Sequence, residues 1–391
     1  MLYDPARHEL LTDTAWDEAR ARAAIEAITA DVEAAFDERA LWPTHPLDGA
    51  SHGTTGDKCL YHGAAGVIWA QVCLAEQGMA KTRDWSSFAE ALVEHYRAAP
   101  DTGTAMPSFW LGEVGVLLTA WRLDRNAVDL DVLFRLIEGN RDNVADEQMW
   151  GAPGTMLAAL FIHEATGDPR WRALFDADAS ALMQRWHRSD EAGCSLWTHH
   201  LYGEVVDQLG AGHGMAGNAF SILRGGPNAT AKALAAEALH ATAIERGGLA
   251  NWPQYAVTPR RGRTELLVQW CHGAPGMITS LSALDDDESD RLLRAGGELV
   301  WKAGPLAKGA GLCHGTAGNG FAFLELFRRT GDELWLDRAR RFAMHAIEQS
   351  ERLAAVYGRL RYSLWNGDAG VAVYLHGCLG GRAGLPLLDA F

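Results

Sequence analysis

The sequence predicts an all-α protein, an α/α toroid in which seven helical hairpins form an inner and an outer ring of helices with a metal site at one end. A Gly-x-x-Gly motif recurs seven times in the 391 residues, an apolar helix-length segment follows most copies, and an amphipathic segment comes next. Such recurrence is typical of repeat architectures. The motifs are Gly63–Gly66, Gly112–Gly115, Gly151–Gly154, Gly214–Gly217, Gly273–Gly276, Gly315–Gly318 and Gly367–Gly370.

Two of the seven repeats show the complete repeating unit, which is an inner helix, a capping turn and an outer helix. Twelve residues separate glycine from threonine in Gly154–Thr166 (166 minus 154) and in Gly318–Thr330 (330 minus 318), which is about 18 Å of helix. Thr-Gly-Asp then ends the helix, because glycine suits a left-handed C-cap, and a second helix is predicted to begin at Trp171 and Trp335. An inner helix that is apolar all round must be covered on every side, which favours a closed ring over an open solenoid. The turns would then gather at one end of the ring.

Composition and charge limit the kinds of partner and the cellular location that we expect for this protein. The net charge of −15 argues against nucleic acid or an anionic membrane surface as the main partner. No basic region followed by an apolar run opens the chain, and no 18-residue stretch lacks charged or turn residues, so we expect neither a signal peptide nor a membrane span. Six cysteines are too few for a disulfide scaffold and favour a cytoplasmic protein. We expect one domain over residues 1–391, with repeats over roughly 55–380.

The motif Cys-His-Gly-x-x-Gly occurs twice, 42 residues apart (313 minus 271). Thiolate and imidazole are the ligands that zinc prefers. We interpret Cys271, Cys313 and His314 as ligands of one zinc ion, because the glycine after His314 lets the chain turn so that adjacent residues face one point. Three protein ligands leave a fourth position open, as in catalytic zinc sites. Two alternatives stay open: His272 as a fourth ligand of a closed structural site, or cysteines that merely pack in tight turns.

Further candidates lie beside other glycine turns. His213 directly precedes the first glycine of repeat four, where an imidazole could exchange a proton near neutral pH or simply cap the turn. Glu147 lies four residues before its glycine, where a carboxylate would satisfy the helix dipole. Trp270 is expected to line the bowl around the site and to contact substrate in part. Three other tryptophans lie equally close to a repeat glycine and are expected to line the same bowl: Trp110, Trp150 and Trp365. The remaining cysteines are interpreted as packing or surface residues: Cys59, Cys73, Cys194 and Cys378.

These residues resemble those of the lanthionine synthetase C-like family over all seven repeats. The resemblance is strongest in Trp-Cys-His-Gly-Ala-Pro-Gly at 270–276 and Leu-Cys-His-Gly-Thr-Ala-Gly-Asn at 312–319. It implies an α/α toroid with one zinc ion held by Cys271, Cys313 and His314. It also implies that His213 is the catalytic histidine.

The details of the motifs resemble one branch of that family more than another. Bacterial lanthipeptide cyclases usually have Tyr after the first zinc cysteine, Arg four residues before it and Asp before repeat three, whereas this chain has His272, Leu267 and Glu147. The eukaryotic-type branch, which adds glutathione to dehydroamino acids, has Glu before repeat three. Lys308 matches a lysine that contacts glutathione in that branch, although the nearby Arg361 is out of register with the branch's arginine segment.

The resemblance therefore implies a zinc-dependent enzyme that adds glutathione or a similar small thiol to dehydroalanine or dehydrobutyrine in a peptide or protein. In this interpretation His213, with Glu147, handles the proton, and Lys308, His272 and Trp270 contact substrate. Two alternatives stay open. The chain could be a lanthipeptide cyclase that forms lanthionine rings, or a zinc-stabilised binding protein without turnover.

Overall fold

The computed structural model describes residues 1–49, 55–257 and 265–391. Within these ranges the chain forms fourteen α-helices and three two-stranded antiparallel ribbons. The helices are α1 (Glu18–Ala34), α2 (Ala64–Glu76), α3 (Ala89–Ala98), α4 (Glu113–Leu123), α5 (Leu130–Gly139), α6 (Ala152–Thr166), α7 (Pro169–Arg185), α8 (Met215–Arg224), α9 (Ala229–Thr242), α10 (Ala274–Ser280), α11 (Asp287–Ala303), α12 (Thr316–Thr330), α13 (Glu333–Tyr357) and α14 (Asp368–Gly380). The strands are β1 (His187–Ser189), β2 (Cys194–Leu196), β3 (His199–Leu201), β4 (Glu204–Val206), β5 (Ile244–Arg246) and β6 (Leu249–Asn251), paired in that order.

The even-numbered helices form an inner ring. Contacts run from α2 through α4, α6, α8, α10 and α12 to α14, and α14 packs back against α2. The order of contacts is closed, as expected of a ring rather than an open solenoid. Burial follows from this position, because an inner helix has neighbours on every side: in α6 every residue from Ala152 to Ile162 is buried.

The odd-numbered helices pack outside the inner ring, and the N-terminal one closes it. The sequence pattern predicts that each inner helix is followed by its outer partner, but no helix follows α14 in the part of the chain that the structure describes. Instead α1 packs against α14, and its buried face carries Ile25, Ile28 and Val32. The outer partner of the last inner helix therefore comes from the opposite end of the chain.

Each inner helix begins directly after the first glycine of a Gly-x-x-Gly motif, as predicted. The second glycine lies in the first turn, where a Cβ atom would come within 1.7–2.1 Å of the carbonyl oxygen six residues earlier. Only glycine tolerates so close a backbone approach, so the motif has a steric cause. The pairs are Gly66 with Leu60, Gly115 with Phe109, Gly154 with Gln148, Gly217 with Ala211, Gly276 with Trp270, Gly318 with Leu312 and Gly370 with Leu364.

Hydrogen bonds link the seven turns to one another. Most of these links run from a backbone N–H of one turn to a backbone carbonyl of the next, and the series returns to its start. The donors and acceptor carbonyls are Tyr61 N–H to Trp110, Ser108 Oγ–H to Met149, Gln148 Nε2–H to Gly217, Gly212 N–H to Cys271, Cys271 N–H to Cys313, Cys313 N–H to Trp365 and Trp365 N–H to Tyr61. The turns therefore gather at one end, as predicted, and those of repeats five and six are neighbours.

The Thr-Gly-Asp segments end the inner helices as predicted, but the outer helices begin earlier than predicted. Gly167 is the C-cap of α6, with a φ of 70°. Asp168 accepts a hydrogen bond from the Arg170 N–H at 2.9 Å and is therefore the N-cap of α7. The helix begins at Pro169 rather than at Trp171, because aspartate starts the next helix instead of only ending the last. Repeat six has the same arrangement. Gly331 is the C-cap of α12, Asp332 is the N-cap of α13, and α13 begins at Glu333 rather than at Trp335.

Three β ribbons depart from the all-α prediction. They lie in the connections after α7 and α9. The ribbon of β3 and β4 has a two-residue loop, and its tip comes close to the candidate site. Among the helices that the structure describes, none combines the length and the apolar character needed to cross a membrane.

Candidate metal centre and active site

Cys271, Cys313 and His314 form one compact group, called here the cysteine cluster. The cluster is brought together by the turns, because the Cys271 N–H donates to the Cys313 carbonyl at 3.1 Å. The ligand atoms of the three residues lie within 4.8 Å of one another. Both cysteines are buried, and His314 is half-buried. Two sulfurs and one imidazole nitrogen at this spacing could hold a metal ion.

The sulfur of Cys271 has a protein hydrogen-bond donor of its own. Gln269 Nε2 donates to Cys271 Sγ at 3.0 Å. Gln269 and His272 also exchange two backbone hydrogen bonds of 3.1 Å, so that residues 269–272 form a tight turn with Cys271 at its corner. A hydrogen bond with Cys313 holds the pKa of the Cys271 thiol well below its usual range, against the effect of burial. Burial raises the pKa of Cys313 well above its usual range.

Glu147 and His213 form a second pair, in which Glu147 is buried and His213 is half-buried. His213 Nδ1 and Glu147 Oε2 are 2.7 Å apart, and the carboxylate also accepts the backbone N–H groups of Met149 at 2.9 Å and Trp150 at 2.7 Å. Burial lowers the pKa of His213, but the Glu147 charge and hydrogen bond outweigh that effect and raise it. Because Nδ1 is engaged, Nε2 is the nitrogen that can exchange a proton with another molecule. Glu147 thus contacts the predicted catalytic histidine and does more than satisfy a helix dipole.

The two groups lie side by side at the end of the ring. The Gly212 N–H, directly before His213, donates to the Cys271 carbonyl at 3.5 Å. His272 lies between the groups, and its ring stacks on that of His213 with centroids 6.1 Å apart. The cysteine cluster does not include His272. The structure therefore brings the predicted metal ligands, the predicted catalytic pair and His272 into one region.

Trp270 and Lys308 occupy very different places. Trp270 is 1% exposed, and its ring packs on Trp365 with centroids 4.4 Å apart, so it belongs to the packed centre of the ring. Lys308 is exposed and lines a small cavity with His314 and Arg361. Arg361 is held by an ion pair with Asp48.

Cys59, His62 and Asp101 form a second group that could hold a metal ion, with ligand atoms also within 4.8 Å of one another. From the sequence, Cys59 is interpreted as a packing or surface residue, and no sequence pattern predicts that these three residues meet. The Asp101 carboxylate already accepts the N–H groups of Lys58 and Cys59. It also lies 3.4 Å from the buried Lys58 ammonium, which neutralises its charge. This group is therefore less suited to a cation than the cysteine cluster.

Three residues of the site are not assigned by sequence analysis: Gln269, Tyr61 and Tyr202. Gln269 stands two residues before Cys271, so a tight turn could have predicted its place. Tyr61 belongs to repeat one and reaches the site because the ring closes, and its hydroxyl lies 3.1 Å from Asn366 Oδ1. Tyr202 is at the tip of the β3–β4 ribbon, which no local pattern in the chain predicts.

A closed ring of helical hairpins with a Cys₂His group and a carboxylate–histidine pair at one end defines a class of protein, the helical toroids with a candidate metal centre. The family model for lanthionine synthetase C-like proteins matches residues 54–383. The chain belongs to this family.

Individual relatives agree with this assignment. Over 298 residues the chain is 28% identical to "Glutathione S-transferase LANCL1" of Danio rerio, a match that covers 68% of this chain and 70% of that protein. Over 129 residues it is 38% identical to "LanC-like protein GCL1" of Arabidopsis thaliana, covering 31% of this chain and 28% of that protein. Among solved structures, nisin cyclase superposes with a TM-score of 0.62 at 15% identity, covering 92% of this chain and 94% of that chain. At this identity the likeness to nisin cyclase shows the fold alone.

Proposed function

We propose that this chain is a zinc-dependent enzyme that adds glutathione or a similar small thiol to dehydroalanine or dehydrobutyrine residues by Michael addition and forms a thioether. The observation that carries the proposal is the meeting of the cysteine cluster and the Glu147–His213 pair, joined through the Gly212–Cys271 hydrogen bond. One group suits binding of a sulfur, and the other suits transfer of a proton.

The donor set of the cysteine cluster fits zinc. In a tetrahedral site with zinc–sulfur bonds of about 2.3 Å, the two sulfurs lie about 3.8 Å apart, which agrees with the 4.8 Å limit on the cluster's ligand atoms. Cys271, Cys313 and His314 would hold the ion and leave one position open for a substrate. When bound, zinc would supply a Lewis acid that keeps an incoming thiol deprotonated at neutral pH.

The remaining chemistry concerns one carbon–carbon double bond and one proton. The thiolate sulfur forms a bond to the β-carbon of the dehydroamino acid, while the π electron pair moves to the α-carbon and its carbonyl. The α-carbon then takes one proton, so that S–H is added across the double bond and nothing is released. His213 Nε2 supplies this proton, and Glu147 holds the ring through Nδ1 and stabilises the charged imidazole.

Glutathione is the thiol that the surroundings of the cluster favour. Lys308 has no ion-pair partner among the described residues, and its ammonium lies on the cavity that His314 also lines. An ammonium there suits a carboxylate of the incoming thiol. The name of the Danio rerio relative, "Glutathione S-transferase LANCL1", supports the same thiol, and all six cysteines are unpaired, as suits a reducing compartment such as the cytoplasm.

His272 and Trp270 have separate parts in this proposal. We assign His272 to substrate contact, because its ring stacks on that of His213. Trp270 supports the turn that carries Cys271 from the packed centre of the ring, because its side chain is almost completely inaccessible to a substrate.

Mass spectrometry of a dehydroalanine peptide incubated with the zinc-loaded protein and glutathione tests the proposal. We expect a peptide that gains one glutathione. The His213→Ala variant should keep its zinc and its thermal midpoint but react 10²–10⁴-fold more slowly, roughly the contribution of a positioned acid. The matched control is His187→Ala, at an exposed histidine of the β1 strand, which should behave as wild type. Absence of adduct with zinc-loaded wild type would contradict the proposal and favour a binding protein.

A further inference from the structure

The tip of the β3–β4 ribbon has an unusual residue. Tyr202 and Gly203 form a two-residue loop with φ angles of 54° and 79°, as in a type I′ turn, where asparagine and glycine are the least strained residues. The described residues contain three other non-glycine residues with positive φ, namely Leu41, Asp146 and Leu387, and all three are buried. Tyr202 is 72% exposed, so burial in the core does not offset its backbone strain. Backbone strain of this kind is frequently found at functional sites.

The Tyr202 side chain is held against the candidate acid. Its ring meets the His213 ring edge-on, with centroids 6.0 Å apart and an angle of 76°. Trp150 Nε1–H donates to the Tyr202 hydroxyl at 3.1 Å, and the Trp150 backbone N–H donates to Glu147. The exposed ring is therefore fixed to the same segment that holds the Glu147–His213 pair.

Two further exposed apolar residues lie on or beside the same ribbon. Val205 pairs with His200 in the β3–β4 register, and the His200 N–H donates to the Val144 carbonyl at 3.0 Å. Val144 and Val205 are each 64% exposed. Val205 lies opposite His200, two residues before Tyr202, so Val205 and Tyr202 are about 7 Å apart along the ribbon at 3.3 Å per residue. A molecule that contacts the His213 region, the Tyr202 ring and Val205 must therefore extend beyond a single residue, as a short extended peptide does.

We propose that Tyr202 is a specificity-determining residue that packs on the peptide chain flanking the dehydroamino acid. This inference rests on the proposed function. A small electrophile needs only the region near His213, whereas a peptide gains contacts with the ring of Tyr202 and the ribbon beyond it.

The Tyr202→Asn variant tests this role, because asparagine suits the left-handed conformation and relieves the strain. We expect a thermal midpoint equal to or above that of wild type. The ratio of kcat/KM for a dehydroalanine peptide to kcat/KM for N-acetyl-dehydroalanine methyl ester, both with glutathione, should fall about tenfold, as for loss of an aromatic contact residue. Tyr202→Phe keeps the ring and should retain the wild-type ratio. The control is Val356→Asn on α13, which is 70% exposed and should not change the ratio.

The possible outcomes separate this inference from the proposed function. An equal loss on both electrophiles, or a lower thermal midpoint with no change in the ratio, would overturn the role of Tyr202 while leaving the function intact. If wild type turns over neither electrophile, the contact between Tyr202 and the peptide is tested by binding instead. The measurement is then the affinity for a fluorescent peptide that carries alanine at the reactive position. Weaker binding by Tyr202→Asn than by wild type would support the peptide contact although the proposed function fails. Equal or absent binding would overturn the contact as well.

Discussion

The Glu147 carboxylate and His213 Nδ1 are 2.7 Å apart across the boundary between repeats three and four. Their side chains come from residues 66 positions apart in the chain, yet the carboxylate is completely buried beneath the imidazole. Two backbone N–H groups from the turn after Glu147 also bind it. The orientation and the charge of His213 therefore depend on Glu147.

The Glu147→Gln variant should shift the pH dependence of the reaction. Burial lowers the pKa of His213 and Glu147 raises it, so removal of the carboxylate charge should lower that pKa. If His213 supplies the proton, activity falls as pH rises through its pKa, and the alkaline limb of the kcat/KM profile should move to lower pH. At the wild-type optimum we expect a loss of about tenfold or more.

The control for this experiment is Glu113→Gln, at a glutamate of the repeat-two turn that pairs with Arg97 at 3.0 Å and does not touch His213. Its pH profile should match wild type. An alkaline limb that stays in place in Glu147→Gln would show that His213 is not the acid of the reaction.

The Cys313→Ala variant should lose most of its zinc. A thiolate supplies both a bond and a charge to the ion, and ligands that remain after its removal hold the metal far more weakly. Elemental analysis of the purified protein measures the zinc content. Cys59→Ala is the informative control, because Cys59 belongs to the second group with possible metal ligands. Zinc lost from Cys59→Ala but kept by Cys313→Ala would move the metal site to that second group.

The ring and the cysteine cluster could be predicted because their causes are local. The carbonyl approach at each second glycine, such as Gly318 against Leu312, excludes any side chain, so the motif recurs visibly in the chain. Cys271 and Cys313 each precede such a turn, and neighbouring turns of a closed ring must meet. The sequence therefore predicts the meeting of these residues before any contact is known.

Other features depend on contacts between distant parts of the chain. The packing of α1 against α14 joins the two ends of the chain, and α1 has no glycine motif that would mark it as a member of the ring. Glu147 follows the common pattern of an acidic residue before a helix, and only the fold places it under His213. Tyr202 lies in a ribbon with strands of three residues each, too short for a period-two pattern to be recognised.

The Gly318→Ala variant should be strongly destabilised. An added Cβ atom would lie 1.7 Å from the Leu312 carbonyl oxygen, and the backbone would have to move to accommodate it. We expect the free energy of unfolding in urea to fall by about 3 kcal/mol or more. Gly139→Ala is the matched control, because a Cβ there meets nothing within 4 Å and should stabilise slightly through the unfolded chain. Similar stabilities for the two variants would show that the glycine motif has no steric cause.

The Lys308→Ala variant should weaken the use of glutathione more than the use of a neutral thiol. The Lys308 ammonium is exposed, lines the cavity beside His314 and has no ion-pair partner among the described residues, so it is available to a carboxylate of the thiol. Loss of an exposed ion pair costs about 1 kcal/mol, and the KM for glutathione should rise several-fold while the KM for 2-mercaptoethanol changes less. Lys302→Ala, at an exposed lysine of the same segment, should leave both KM values at the wild-type level. Equal changes for the two thiols, or none, would remove Lys308 from recognition of the thiol, because a contact with a carboxylate must distinguish a thiol that carries one from a thiol that does not.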